Sequence, residues 1–244
     1  MPRSSAGGPR KALPREPSGK RPAPAATSLT ARVTDRIRDA IVDGRYALGE
    51  ALSELKLAAA FGVSRTPVRD ALTALQAEGL IEIRPQSGSF VFTPSDEDVA
   101  ELAEFRRVVE LTALRLCFAR RREEALRDMR AAADAMERAR DADDRLGVSR
   151  ADTAFHRAIA ENSANEYLIA AYRLASGRVA ALRTHSLRAT DTIRARSLTE
   201  HRAVINAFAR GDVARAEAIL EEHVLAMRLR YQAPRGRAGA ESSR

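Results

Sequence analysis

The feature that most restricts the fold of this 244-residue chain is a pair of short amphipathic segments separated by the dipeptide Gly62-Val63. Residues 53–61 and 64–79 each carry their apolar side chains at helical spacing. Ser64 is a favourable N-cap residue for the second segment, so the chain turns at the dipeptide and starts a new helix. Together with a further amphipathic helix expected over residues 30–43, this spacing predicts a helix-turn-helix unit.

The residues that follow this unit predict a β-hairpin. The run from Leu80 to Phe92 is rich in β-branched and aromatic residues and contains the turn sequence Pro85-Gln86-Ser87-Gly88 near its centre. A helix-turn-helix that is followed directly by a hairpin is a winged helix. We therefore assign residues 29–94 to a winged-helix domain.

The rest of the chain is predicted to be almost entirely helical. After the break at Thr93-Pro94-Ser95, the periodicity favours about six helices within residues 95–231, which are enough for a bundle with an internal pocket. The expected helices cover residues 96–120, 122–141, 149–162, 165–189, 191–210 and 212–231. The predicted fold class is mainly α, with an N-terminal winged helix and a C-terminal all-α bundle.

Charge is distributed unevenly along the chain, whose net charge is +8. Residues 1–28 contain six Lys or Arg and one acidic residue, and residues 232–244 contain three and one, whereas both predicted folded regions are close to neutral. Six of the ten prolines also lie in residues 1–28. We therefore expect a disordered basic arm and a disordered C-terminal tail. The arm either follows the DNA backbone or is a spacer without a function of its own.

Several classes of protein are excluded by the composition. No run approaches the roughly 18 consecutive apolar residues that span a bilayer, and no apolar stretch near the start resembles a signal peptide. The single cysteine, Cys117, has no partner for an intramolecular disulfide. We expect a cytoplasmic protein that does not bind membranes.

The second helix of the helix-turn-helix carries the residues expected to contact DNA. Arg65 and Arg69 are one turn apart, so both guanidinium groups leave one face near the N-terminus, the part of a recognition helix that enters the major groove. A guanidinium can bind O6 and N7 of guanine, or it can bridge phosphates. The hydroxyls of Ser64 and Thr66 at the helix N-terminus suit a phosphate oxygen.

The hairpin tip is the second expected contact, because Gly88 would let the backbone of the wing approach the minor groove. The competing interpretation is that Arg65 and Arg69 only solvate a surface helix and pair with Asp70 or Glu54.

The string Gly62-Val63-Ser64-Arg65-Thr66-Pro67-Val68-Arg69, followed by Glu78-Gly79-Leu80 and Phe90-Val91, resembles the winged helix of the GntR family of bacterial transcription regulators. The resemblance implies that Arg65, Thr66, Arg69 and Gly88 contact DNA, and that Lys56 is a basic contact on the preceding helix. Because one winged helix reads too few base pairs to single out an operator, we expect a homodimer on a pseudo-palindromic double-stranded operator.

One aspartate and three of the four histidines form a second candidate site. Asp152 and His156 are four residues apart, so one helix face presents a carboxylate and an imidazole together. His201 and His223 lie on the last two predicted helices. If they meet in the bundle, these residues suit a divalent transition metal, with zinc the first choice and nickel, manganese or iron the alternatives. Alternatively, each histidine has its own separate partners, since no pair has the His-Glu-x-x-His spacing.

The strings around these residues are Asp152-x-x-Phe155-His156, Ser163-x-Asn165, Glu200-His201-Arg202 and Gly211-Asp212. They resemble the FCD effector domain, which is named for the FadR C-terminal domain, and a bundle of six helices is closer to its VanR subgroup. The resemblance implies that Asp152, His156, His201 and His223 hold a metal and that a small carboxylate effector completes its shell. It also implies that Arg106 lines the effector pocket, although Arg106 could instead form a surface ion pair with Glu110.

These expectations together predict a transcription regulator, a repressor and not an enzyme, whose operator affinity responds to a small carboxylate metabolite. One alternative is a metal-dependent hydrolase in which the Asp/His site activates water, although no further carboxylate is placed to act as a general base. Another is a nonspecific DNA-binding protein driven by the basic tails, which would show steep salt dependence and no sequence preference.

Overall fold

The computed structural model describes residues 28–187 and 191–232. Its N-terminal elements are α1 (Leu29–Val42), β1 (Ala51–Leu52), α2 (Glu54–Phe61), α3 (Arg65–Ala77), β2 (Ile81–Arg84) and β3 (Gly88–Val91). The predicted winged helix is confirmed, but its sheet has a third strand. The strands are antiparallel in the order β1-β3-β2, and Ala51 of β1 pairs with Phe90 of β3. Sequence periodicity missed β1 because two residues are too few to show an alternation.

The predicted recognition helix, α3, is held by the turn before it and by α1. Gly62 ends α2 with a φ of +66°, a left-handed conformation that glycine adopts at little cost. On the other side, α1 buries Ile37 in the same apolar core as Leu72 of α3. Arg38 of α1 also donates two hydrogen bonds, of 2.8 and 2.7 Å, to the carboxylate of Glu78 at the C-terminus of α3. The packing and the ion pair fix the orientation of α3 relative to α1.

The C-terminal part consists of α4 (Asp96–Arg120), α5 (Arg122–Asp141), α6 (Arg145–Asn162), α7 (Glu166–Leu187), α8 (Asp191–Ala209), α9 (Val213–Leu225) and α10 (Met227–Gln232). The predicted start of α6 at residue 149 is wrong, because Asp144 caps the helix and accepts the N–H of Gly147 at 2.8 Å. The single helix predicted over residues 212–231 is divided at Ala226. Over residues 96–187 and 191–232, the bundle therefore has six long helices and the short α10.

One of the two main apolar cores continues across the predicted domain boundary at residue 94. It joins the winged helix to Val99 and Leu102 of α4, to Leu182 of α7 and to Met227 of α10. Tyr231 of α10 donates a hydrogen bond of 3.3 Å to the carbonyl oxygen of Pro94. The second core lies within the bundle and includes the fully buried side chains Phe155, Phe208 and Met129. The winged helix therefore packs directly on the bundle.

Both predicted tails fall almost wholly outside the described residues. Ser28, which was assigned to the basic arm, is the N-cap of α1 and accepts a hydrogen bond from the backbone N–H of Ala31. Gln232, which was assigned to the C-terminal tail, is the last residue of α10. Within the described ranges, no helix combines the length and the apolar character that crossing a bilayer requires.

Candidate DNA-binding surface and metal centre

The N-terminus of α3 presents both predicted arginines to solvent. The side chains of Arg65 and Arg69 are 61% and 64% exposed, and both bind Glu54 of α2. Arg65 reaches this carboxylate at 3.0 Å through Nη2, and Arg69 reaches it at 3.1 and 3.0 Å through Nε and Nη2. Hydrogen bonds from Arg69 and then Arg65 lower the pKa of Glu54. Because exposed ion pairs are weak, this pairing with Glu54 leaves both arginines available to exchange onto DNA.

The other predicted DNA contacts also lie at the surface. Lys56 on α2, and Ser64 and Thr66 at the start of α3, are exposed. The hydroxyl of Ser64 makes no capping hydrogen bond within α3. Gly88 begins β3 with a φ of +111°, and no atom lies within 4 Å of the position that a Cβ would take. Glycine is therefore favoured at the tip of the wing by its backbone conformation, and the space around it is open.

The structure brings the four predicted metal-binding residues together inside the bundle. Asp152 and His156 lie one turn apart on α6, His201 lies on α8 and His223 lies on α9. All four are buried, and each offers one ligand atom within 4.8 Å of the others. Nε2 of His223 is 3.1 Å from Nε2 of His156 and 3.3 Å from Nε2 of His201. The carboxylate oxygens of Asp152 lie 3.6 and 3.7 Å from Nε2 of His156 and His201.

Burial keeps the three imidazoles neutral. Desolvation lowers the pKa of His156 to about 4, of His201 to about 3 and of His223 to about 4. A neutral imidazole carries one N–H. Nδ1 of His156 is 2.7 Å from Glu110, and Nδ1 of His223 is 2.6 Å from Glu200, so the N–H of each ring donates to a carboxylate. The Nε2 lone pairs of these two rings are therefore directed at each other.

This arrangement fits a bound metal ion. Nitrogen lone pairs 3.1 Å apart, with a carboxylate beside them, repel one another unless a cation lies between them. Carboxylates that accept the Nδ1 proton are the usual outer partners of metal-binding histidines, because they fix the tautomer and the orientation of the ring. The ring of His201 is held differently, since it stacks on Phe155 with the ring centroids 3.9 Å apart.

Arg106 lies at this centre and not at the surface. Its Nε donates a hydrogen bond of 2.7 Å to Glu110, and both side chains are buried. The ion pair that the sequence offered as the alternative is therefore present, but it supports His156. Burial by itself would raise the pKa of Glu110, but the positive charge of Arg106 and the contact with His156 outweigh it and lower the pKa.

A small cavity of about 30 Å³ adjoins the centre and is lined by Asp152, His223, Arg106, Arg183, Ser186, Ser197, Val179, Met227 and Arg230. Arg183 of α7 contacts the carboxylate of Asp152, which also accepts a hydrogen bond of 2.7 Å from Ser197. Arg230 of α10 donates to Glu200 at 2.7 Å. Sequence reasoning missed Arg183 and Arg230, because no spacing distinguishes them from the many other arginines. For Glu200, its position directly before His201 was the available signal.

The two regions define a class of protein. A winged helix with arginines exposed on its predicted recognition helix is joined to a helical bundle with a buried Asp/His cluster, and this combination is that of a DNA-binding regulator. The match to "Bacterial regulatory proteins, gntR family" covers residues 29–91, and the match to the FCD domain covers residues 101–226. The chain belongs to the GntR family of transcription regulators and carries an FCD domain.

Individual relatives agree with this assignment. The chain is 30% identical to a probable D-xylose utilization operon transcriptional repressor of Paenarthrobacter nicotinovorans. The 200 aligned residues cover 82% of this chain and 87% of the relative. The chain is 32% identical over 208 residues to the HTH-type transcriptional regulator LutR of Bacillus subtilis, covering 75% and 92%. These relatives are transcription regulators and not enzymes, which favours the regulator over the hydrolase alternative.

Solved structures show the same fold. A GntR transcriptional regulator from Rhodococcus sp. RHA1 superposes with a TM-score of 0.74 at 28% identity, covering 84% of this chain and 99% of that protein. McbR/YncC of E. coli superposes with a TM-score of 0.75 at 20% identity, covering 85% and 99%. The protein is thus a DNA-binding transcription regulator of the GntR family.

Proposed function

We propose that this regulator is a repressor whose operator affinity changes when a small carboxylate binds beside a divalent metal. Asp152, His156, His201 and His223 would hold the metal, and zinc is the first choice. The observation that carries the proposal is the convergence of the three Nε2 atoms and the Asp152 carboxylate next to an arginine-lined cavity. When bound, the metal supplies positive charge and coordination positions that an anionic effector can take.

The surrounding residues would prepare this site before the effector arrives. Glu110 and Glu200 hold the His156 and His223 rings with Nε2 directed inward. Arg106 neutralises Glu110 and also lines the cavity, so it is placed to bind the effector as well as to support His156. A preorganised site of this kind loses little freedom when a ligand binds.

On DNA, residues 29–94 would act as the reading unit and residues 95–231 as the sensor. Arg65, Thr66 and Arg69 would enter the major groove, with Arg65 and Arg69 leaving Glu54 as they bind. Ser64 and Lys56 would contact phosphates, and the wing at Gly88 would approach the minor groove. We propose a homodimer on a pseudo-palindromic operator, because two half-sites are needed for sufficient specificity.

One ion pair joins α6, which carries Asp152 and His156, to α1, which packs on the proposed recognition helix α3. Arg150 lies on α6 two residues before Asp152, and it binds Asp43, at the C-terminus of α1, with hydrogen bonds of 3.1 and 2.7 Å. Asp43 is 4% exposed. Since α1 is bound to α3 by the Arg38–Glu78 pair, a displacement of α6 on effector binding would change the position of α3.

The proposal is tested by metal content. We expect the purified protein, stripped with a chelator and dialysed with zinc, to retain about one equivalent per chain, and His223→Ala to retain almost none. His185→Ala is the matched control, because His185 is exposed and lies outside the cluster. A wild-type protein that binds no divalent metal, or a His223→Ala variant that binds zinc as tightly as the control does, would contradict the proposal.

A further inference from the structure

We propose that the effector is a short dicarboxylate, with one carboxylate at the metal and the second bound by Arg183 and Arg230. This inference rests on the metal site proposed above and adds the chemical class of the ligand. It is carried by the charges that surround the cavity and by the positions of these two arginines.

The buried charges around the centre cancel in pairs. The pairs are Arg106 with Glu110, Arg183 with Asp152, and Arg230 with Glu200. Imidazole binds a metal in its neutral form, so in the metal-loaded site these residues contribute no net charge beyond that of the ion. A divalent ion would therefore add two positive charges to a buried site, where charge is costly unless it is paired. A monocarboxylate compensates one of these charges, whereas a dicarboxylate compensates both.

The second carboxylate has donors on two helices, α7 and α10, that supply none of the four proposed metal ligands. Arg183 lies on α7 and Arg230 on α10, with side chains 10% and 16% exposed, and both line the same cavity as Asp152 and His223. A guanidinium can bind a carboxylate through two parallel hydrogen bonds. Ser186 adds a hydroxyl to the cavity wall. A ligand with two separated acidic groups can therefore reach both the metal ligands and the arginines.

The cavity favours a short acid, because it must enlarge to admit any organic acid and a short one needs the least enlargement. About 30 Å³ has room for one or two water molecules. Arg183, which lines the cavity and contacts Asp152, would turn away from Asp152 to admit the acid. The same movement frees its guanidinium for the second carboxylate, so that opening the cavity and binding the dianion are one step.

The test compares matched acids on the zinc-loaded, full-length protein by isothermal titration calorimetry. Malonate is compared with propionate and succinate with butyrate, so that each pair differs in one carboxylate at constant carbon number. We expect the tighter-binding dicarboxylate to bind at least about tenfold more tightly than the monocarboxylate of the same carbon number. This factor corresponds to about one additional buried charge-assisted hydrogen bond. Zinc content is measured before and after, because dicarboxylates also bind free zinc. Inorganic phosphate serves as a compact dianion and should bind more weakly.

Two variants assign the preference to the cavity. Arg230→Gln should retain zinc and show a smaller preference for succinate over butyrate than the wild-type protein does, because Arg183 is then left as the remaining arginine donor of the pair. Arg196→Gln is the matched control, since Arg196 binds the same Glu200 at 2.7 Å but is 66% exposed and does not line the cavity. It should keep the full preference.

The outcomes separate this inference from the proposed function. Equal binding of mono- and dicarboxylates to the wild-type protein, phosphate binding as tight as that of succinate, or an unchanged preference in Arg230→Gln would overturn the dicarboxylate inference while the metal site stands. Zinc-loaded protein that binds none of the acids would contradict the proposed function itself.

Discussion

The exposed face of α3 and the buried Asp/His cluster are both surrounded by arginines paired with carboxylates, and the two sets of pairs differ in burial. Glu54 shares its carboxylate between two arginines that are more than half exposed, whereas Arg106 and Glu110 are both buried. Water screens the ion pairs of Glu54 with Arg65 and Arg69, so these partners exchange at low cost. The buried pair of Arg106 and Glu110 cannot be separated without leaving a charge uncompensated in the interior. Arg65 and Arg69 can therefore exchange partners at low cost, whereas Arg106 and Glu110 hold a fixed geometry.

The largest expected effect is on stability, and it comes from breaking the buried contacts of Glu110. Glu110→Ala removes the partner of both Arg106 and Nδ1 of His156, and we expect it to reduce the free energy of unfolding by about 3 to 5 kcal/mol. Chemical denaturation measures this loss. Glu104→Ala is the control, because Glu104 is exposed on the same helix. Equal stability of the two variants would show that burial does not distinguish the regions.

Substitution of the exposed arginines of α3 should weaken DNA binding and leave folding unchanged. Arg65→Ala or Arg69→Ala should weaken operator binding by roughly 5- to 150-fold if the guanidinium makes a bidentate base contact. Fluorescence anisotropy with a selected operator duplex measures the change. Arg127→Ala, an equally exposed arginine on α5, should bind normally. Unchanged operator affinity in both α3 variants would exclude this surface as the reading face.

A third substitution tests the connection between the regions. Arg150→Gln removes the bidentate contact with Asp43, and we expect it to reduce the effect of ligand on operator affinity by a few-fold, in the range of coupling changes of about 0.5 to 2 kcal/mol. Arg145→Gln is the control, because Arg145 lies on the same helix, is 52% exposed and contacts Asp143 instead of Asp43. If both variants respond to ligand as the wild-type protein does, the signal travels by another contact.

The smallest expected effect concerns Glu54. Glu54→Gln removes a negative charge beside the DNA phosphates and frees Arg65 and Arg69, so it should tighten operator binding by a few-fold. Glu124→Gln removes a glutamate from the first turn of α5, as Glu54 lies in the first turn of α2, and controls for loss of the helix-dipole interaction. Weaker binding by Glu54→Gln would mean that Glu54 orients the arginines for DNA.

The parts of the fold that depend on residues close together in the chain could be predicted from the sequence. The helix-turn-helix could be predicted because Gly62 adopts the left-handed conformation that ends α2, and because Ser64 is a residue type favoured at the N-cap position that it occupies in α3. Asp152 and His156 could be paired because they lie one turn apart. Placing His201 and His223 beside them depended on a family resemblance, since distance along the chain carries no information about that contact.

The features that sequence reasoning missed depend on contacts through space. Arg183 and Arg230 come from α7 and α10, and nothing in their own segments shows that they meet at one cavity. The core shared by the winged helix and the bundle was missed for the same reason. The early start of α6 was missed because the Asp144 cap lies in a stretch whose composition resembles a loop.

The most direct test of the link between sensor and DNA is the operator affinity of the zinc-loaded protein, measured by anisotropy with and without saturating succinate or malonate. The wild-type protein should show a shift of about 5- to 150-fold, the usual size of an allosteric coupling. His223→Ala should still bind the same operator, because its recognition helix is unaltered. It should show no shift, because it has lost the metal. An operator affinity that does not change when the acid is bound, or an equal shift in zinc-free His223→Ala, would contradict the proposal that the metal centre controls DNA binding.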